Sequence, residues 1–186
     1  MDRSWLLLRW LNSAKPAANV EPPGIVIGKG SFAEVRRLQD GRVLRVWLRS
    51  SRTDAVRELD LMSKLPRHPH LCQLLDVSPH GAILGFYGES LQQKLHKEQY
   101  LPADECQSLV GQCADGLAAL HGFGVIHADL TPANMCVEKG HLTIIDFGKS
   151  LVEAAMPPLQ PDDVRNHLTT PLLVVEWLCS WADRRW

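Results

Sequence analysis

The sequence predicts an α+β fold in two lobes: an antiparallel five-stranded sheet with one helix, then a reduced, mainly helical half. Three observations predict it. Short β-rich runs separated by glycine turns fill the chain up to about residue 88, apolar residues then recur at helical spacing, and 186 residues suit one domain or two small lobes sharing a cleft. A chain of this length buries roughly 70% of its unfolded surface and needs neither disulfides nor a structural metal to fold.

The first segment, residues 1–24, is expected to hold a helix and a linker. Trp5–Leu8 is an apolar run broken by Arg9, too short to span a bilayer, and reads as a short helix docked by Trp5, Leu8 and Trp10. Lys15–Gly24 is rich in Pro and Ala and reads as the linker. Residues 25–88 form the strand-rich lobe. Ile25–Ile27 and Glu34–Leu38 are strands around a Gly-rich turn, and Val43–Leu48 is a third, entered through Asp40–Gly41. Thr53–Leu65 is the helix, with Val56, Leu59 and Met62–Leu65 apolar and Thr53 as its cap. Leu71–Val77 and Ala82–Tyr87 complete the five strands.

Residues 89–186 turn helical. Ser90–Leu95 gives a short helix and Ala103–Phe123 a long one, striped by Leu109, Cys113, Leu117 and Leu120. Met135–Val137 and Leu142–Ile145 are β-like segments on either side of a tight turn at Lys139–Gly140. Beyond Pro157, Pro158 and Pro161 an apolar helix is expected from Asp163 to about Trp181, with Leu168, Leu172, Val175 and Cys179 inward. Trp177, Trp181 and Trp186 read as core plugs or a partner surface.

A net charge of −1 with scattered basic residues argues against nucleic acid or an anionic membrane as the main partner, and no segment is built for stable membrane insertion. Five cysteines without paired spacing imply free thiols in a reducing, cytoplasmic compartment. His68, His70 and Cys72 lie close in sequence, but no second pair completes a four-ligand zinc site.

Two stretches carry chemistry. In Gly28-Lys29-Gly30-Ser31-Phe32-Ala33-Glu34-Val35, two glycines between strands let the backbone lie close over phosphates and aim N–H groups at them. In His127-Ala128-Asp129-Leu130-Thr131-Pro132-Ala133-Asn134, Asp129 can accept a hydroxyl proton and Asn134 can hold magnesium. Asp146-Phe147-Gly148 follows twelve residues after Asn134, placing a second oxygen ligand for that ion behind the apolar run Leu142–Ile145.

His127–Asn134 followed by Asp146–Gly148 resembles the catalytic loop and metal-binding motif of eukaryotic-like protein kinases. The resemblance covers about Ile25 to Leu168 and implies ATP and Mg2+ as cofactors and a protein hydroxyl as acceptor. It implies Asp129 as base, and Asn134 and Asp146 as magnesium ligands. Glu58 falls where the family's helix C carries its glutamate, and Arg45, in Val43-Leu44-Arg45-Val46, replaces the strand-three lysine. Gly28, Lys29, Gly30, Ser31, Val35 and Val43 are then nucleotide contacts. Leu84–Gly88 falls at the hinge, with Phe86 and Tyr87 beside the adenine. His68-Pro69-His70 resembles the loop after helix C, and Asp162-Asp163-Val164 the start of helix F, with Asp163 as a buried anchor.

Departures from the family pattern shape the functional expectation. Arg45 is longer and more planar than lysine, and Lys29 is a second candidate for the phosphate cation. Ala128 replaces the arginine that reads activation-loop phosphorylation. Thr131 replaces a lysine next to the transferring phosphate, although Pro132 keeps the serine/threonine pattern. Thirty-eight residues follow Gly148, too few for a full substrate platform, as in the minimal kinases that bacteria inject into host cells. The leading expectation is an active protein kinase, Ser/Thr favoured, with a host protein as acceptor if it is such an effector. A pseudokinase binding module and a small-molecule phosphotransferase are the alternatives.

Overall fold

The computed structural model describes residues 3–13, 20–30, 32–48, 52–98 and 101–152. Ser31, the Asp162–Val164 anchor, the helix expected at Asp163–Trp181 with Cys179, and Trp186 lie outside the described residues. The chain divides into two units, Met1–Leu65 with Gln73–Phe86, and Pro66–Cys72 with Tyr87–Trp186. This division places the N-terminal helix with the five-stranded sheet.

The first unit contains α1 (Ser4–Asn12), β1 (Ile25–Lys29), β2 (Ala33–Arg37), β3 (Val43–Trp47), α2 (Arg52–Lys64), β4 (Leu74–Ser78) and β5 (Gly81–Leu84). The strands form one antiparallel sheet in the order β1-β2-β3-β5-β4. The Asp40–Gly41 signal makes the β2–β3 turn, where Gly41 takes φ 85° and Leu38 N–H donates to Arg42 O over 2.8 Å. The core holds Leu44, Leu74 and Ala82 of the sheet, Leu59 and Met62 of α2, and Leu6 of α1, all 3% exposed or less. Thr53, expected as a cap, lies inside the first turn of α2.

The docking face of α1 differs from expectation. Trp5 and Leu8 are exposed, whereas Leu6 is fully buried and Trp10 half-buried. Arg3 sets this rotation: its guanidinium donates to the Leu74 carbonyl and to Gln73 Oε1, and its N–H donates to Ser63 O. Arg3, Leu6 and Trp10 are three and four residues apart, so anchoring the first brings the other two onto α2 and β4. Arg9 adds an ion pair with Asp76 at 2.7 Å.

The second unit contains β6 (Glu89–Ser90), α3 (Leu91–Glu98), α4 (Ala103–Gly122), β7 (Val125–Ile126), a 3-10 turn (Pro132–Asn134), β8 (Met135–Glu138), β9 (His141–Ile144) and β10 (Leu151–Val152). β6, β8 and β9 form one sheet, and β10 pairs with β7 in another. The β8–β9 turn has Lys139 at φ 52° and Gly140 at φ 76°, two consecutive left-handed residues as a two-residue hairpin requires. The stripe expected on α4 is buried throughout. A Cβ at Gly116 would stand 2.9 Å from Ile144 Cδ1 and 3.1 Å from His70 O, so glycine there lets α4 approach β9 closely. Lys94 joins α3 to α4 through Glu98 (2.7 Å) and Glu105 (3.2 Å). Burial lowers its pKa, but the two carboxylates outweigh burial and leave it raised.

The strand expected at Leu71–Val77 begins only at Leu74. Its first residues instead join the second unit: Leu71 bridges Ile144 in parallel, Cys72 N–H donates to Ile144 O, and Ile144 N–H donates to His70 O. The clustered histidines hold this segment. His70 Nδ1 lies 2.8 Å from Leu142 O, His141 Nε2 lies 3.1 Å from Pro69 O, and the two rings stack at 4.7 Å.

Candidate active site

Each unit holds part of the site expected from the sequence. In the second, β7 delivers the loop 127–134 and β9 delivers Asp146-Phe147-Gly148. β10 then returns beside β7, with Leu151 opposite Ile126. His127, 2% exposed, joins these segments: its ring packs on Phe147 at 5.4 Å, Nε2 lies 2.9 Å from Ile145 O and Nδ1 3.3 Å from Asp129 N. These partners fit a neutral ring that donates from Nε2 and accepts at Nδ1. Burial lowers the His127 pKa, against the raising effects of the Ile145 carbonyl and the charges of Asp146 and Asp129.

Asp129 Oδ2 accepts from Asn134 Nδ2 (3.1 Å) and pairs with Lys149 Nζ (3.1 Å). Asn134 Nδ2 also donates to Asp129 O over 2.8 Å. Both donations leave from the amide nitrogen, so Asn134 Oδ1 is the atom through which this side chain can meet a cation. Asn134 O accepts Ile145 N–H (2.9 Å), and Asp146 Oδ1 accepts Gly148 N–H (3.3 Å). An amide oxygen and a carboxylate make a hard donor set that fits magnesium. Thr131 is exposed, and its carbonyl accepts Asn134 N–H to start the 3-10 turn.

Ala128 (φ 59°) and Asp146 (φ 65°) are left-handed. A Cβ costs about 1–2 kcal/mol there, so the hydrogen bonds around His127 and Asn134 hold strained backbone at both motifs. Such strain is concentrated at functional sites.

In the first unit, α2 places Glu58 on the same buried stripe as Ala55, Leu59 and Met62. A carboxylate there needs partners. Arg45 Nη2 lies 3.2 Å and 3.3 Å from its two oxygens, and Trp47 Nε1 donates to Oε2 over 2.9 Å. Trp10 of α1 meets Trp47 edge-on at 6.0 Å. Arg45 and Glu58 are 12% and 4% exposed, and removing one partner of such a pair costs about 3–5 kcal/mol.

Lys29, the alternative cation, is exposed and lies 3.8 Å from Glu34, which also pairs with Arg36 at 2.6 Å. Gly28 stands opposite Val35 beside a register shift, and Gly30 N–H donates to Ala33 O. A Cβ would meet only ordinary contacts, at 3.8 Å for Gly28 and 3.6 Å for Gly30. Gly81 contrasts with them, since a Cβ there would lie 2.0 Å from Arg45 O. Among the described residues, then, packing does not demand glycine at positions 28 and 30. Val35 is half-buried, and Val43 is buried opposite Leu84. The Arg37 guanidinium covers the Phe86 ring at 3.5 Å, and Tyr87 is half-buried.

The sequence reading missed Lys149 and Trp47, and it named Trp10 for docking α1 without its link to Glu58 through Trp47. The vacated lysine at Thr131 was the signal for Lys149, because it asks for another cation nearby. No local pattern marks Trp47 as a partner of Glu58. Among the described residues, no cluster of three or more His, Cys, Asp or Glu could hold a metal ion, and no helix is long and apolar enough to cross a membrane.

Comparison with known proteins places these residues in context. A family model described as a protein kinase domain matches residues 24–157. Human mitogen-activated protein kinase 12 is 30% identical over 173 residues, 82% of this chain and 46% of its own length. Mouse dual specificity testis-specific protein kinase 2 is 33% identical over 137 residues, 66% of this chain and 24% of its own length. Arabidopsis thaliana cyclin-dependent kinase D-1 is 27% identical over 139 residues, 66% of this chain and 35% of its own length. The chain thus spans less than half the length of each of these relatives.

Proposed function

This chain belongs to the protein kinase family, and from that premise we propose that it binds ATP with magnesium and transfers the γ-phosphoryl group to a protein hydroxyl. The observation that carries this reading is the grouping of Asp129 and Asn134 by direct hydrogen bonds, with Asp146 tied to them through Ile145 and His127. Asp129 accepts the proton of the acceptor hydroxyl as its oxygen attacks the γ-phosphorus. The bond from that phosphorus to the β–γ bridging oxygen breaks, and ADP leaves with the electron pair. Asn134 Oδ1 and the Asp146 carboxylate would hold magnesium, which when bound neutralises phosphate charge. Arg45, fixed by Glu58, is the phosphate cation of the first unit. Gly28 and Gly30 let the backbone approach the phosphates, with Lys29 and Ser31 beside them. Val35, Val43 and the segment at Phe86–Tyr87 receive the adenine.

The Arg45–Glu58 pair supports an active enzyme over a binding-only module, since arginine makes here the ion pair that the family asks of lysine. Pro132 after Thr131 favours serine or threonine as acceptor. The protein acceptor is to be sought in a eukaryotic lysate.

Calorimetric titration with ATP and magnesium tests the assigned roles. Asp129→Ala should bind within about threefold of the unmodified chain while losing transfer, and Asp146→Ala should bind at least about tenfold more weakly. Equal loss of binding in both variants, with folding intact, contradicts this division of labour.

A further inference from the structure

The lysine typical of serine/threonine kinases two residues after the catalytic aspartate is replaced here by Thr131, an exposed residue with no charge to offer a phosphate. The structure holds a cation near Asp129 by another route. Lys149 directly follows Asp146-Phe147-Gly148, and its Nζ lies 3.1 Å from Asp129 Oδ2. Among the described residues it is the cation that ion-pairs with Asp129. Its backbone is held at both ends. Phe147 is buried against His127, Ser150 N–H donates to Phe147 O, and Ser150 Oγ donates to His127 O. β10 then pairs with β7 immediately before the Asp129 loop.

The side chain itself is 65% exposed, so the screened ion pair does little for the fold. A flexible cation at the proton acceptor, on a backbone pinned to the catalytic loop, is instead placed for the transferring group.

We propose that Lys149 is a catalytic residue that donates to the γ-phosphoryl oxygens during transfer and takes the role vacated at Thr131. The proposal rests on the kinase reading above. Lys149 leaves Asp129 Oδ2 to the acceptor hydroxyl and follows the negative charge onto the γ-phosphate. It remains protonated throughout; the hydroxyl proton goes to Asp129 and the electron pair of the broken bond to ADP. Its contact is with the γ-phosphate alone, so it should strengthen binding of ATP relative to ADP.

Two readouts on Lys149→Met and on Thr131→Lys/Lys149→Met test this. The first is the rate of γ-phosphoryl transfer. Lys149→Met should lower it on the order of a hundredfold, and adding Thr131→Lys should restore most of it by returning a cation beside Asp129. The second is the affinity ratio between a non-hydrolysable ATP analogue and ADP, each with magnesium, which Lys149→Met should reduce about tenfold. Transfer and affinity ratio both within threefold of the unmodified chain would overturn the proposal and leave Lys149 a surface ion pair. An unmodified chain that binds nucleotide without transferring would defeat the kinase reading instead, and the affinity ratio alone would then decide whether Lys149 meets the γ-phosphate.

Discussion

His127 orients Asp129 through its backbone: the buried ring accepts the Asp129 N–H and donates to the Ile145 carbonyl, so one neutral imidazole holds both motifs. Its folded pKa lies below 6.5, with burial the main cause. The unfolded chain therefore binds more protons below pH 6.5. The stability His127 contributes is complete above that pH and is lost as pH falls through the folded value. The slope is at most about 1.4 kcal/mol per pH unit. Urea unfolding of nucleotide- and metal-free protein at pH 7.5 and 5.5 should show a steeper loss in the unmodified chain than in His127→Asn; parallel losses would contradict this. Glycine gives a second prediction at this scale. Gly28→Ala should change stability by no more than about 0.5 kcal/mol yet weaken ATP binding. Gly81→Ala drives a Cβ into the Arg45 carbonyl and should destabilise by several times that amount. Unfolding curves and nucleotide titrations on both variants check the contrast, and a Gly28→Ala chain with unchanged ATP affinity would detach that glycine from the nucleotide.

At the scale of elements, α1 lies outside the residues matched by the family model, yet it packs on the helix that carries Glu58. A chain of contacts runs from Trp10 to Trp47 and from the Trp47 indole to the Glu58 carboxylate that holds Arg45. Trp47→Phe keeps most of the packing and removes the donor. A hydrogen bond to a charged group contributes about 1.5–3 kcal/mol, and a loss of that size is expected in urea unfolding, together with weaker ATP binding through a less fixed Arg45. Unchanged stability would show that the Trp47 indole contributes nothing to holding Glu58.

At the scale of the molecule, legibility follows distance along the chain. Glycine turns, the Lys139–Gly140 hairpin, the stripe of α4 and the motif spacings are set by neighbours, and the sequence displays them directly. The α+β fold follows from those elements in order. The rotation of α1 depends on Arg3 reaching Leu74, the late start of β4 on Leu71 and Cys72 meeting Ile144, and the setting of Asp129 on Lys149 returning from beyond Gly148. Each of these joins residues that local periodicity does not connect, and only the lysine missing at Thr131 hinted at one of them, Lys149. Cys113, buried, and Cys136, half-buried, show how composition reads in three dimensions. Burial pushes the thiols of Cys113 and Cys136 up to about 11, which keeps both largely protonated near neutral pH.

The measurement that bears most directly on phosphoryl transfer is incorporation of labelled γ-phosphate from ATP with magnesium, into the chain itself and into a eukaryotic lysate, beside Asp129→Ala. Labelling of a protein hydroxyl by the unmodified chain, abolished in Asp129→Ala although ATP still binds, is the expected result. Nucleotide binding with no labelling above the Asp129→Ala background would contradict it, and would make this member of the kinase family a binding module.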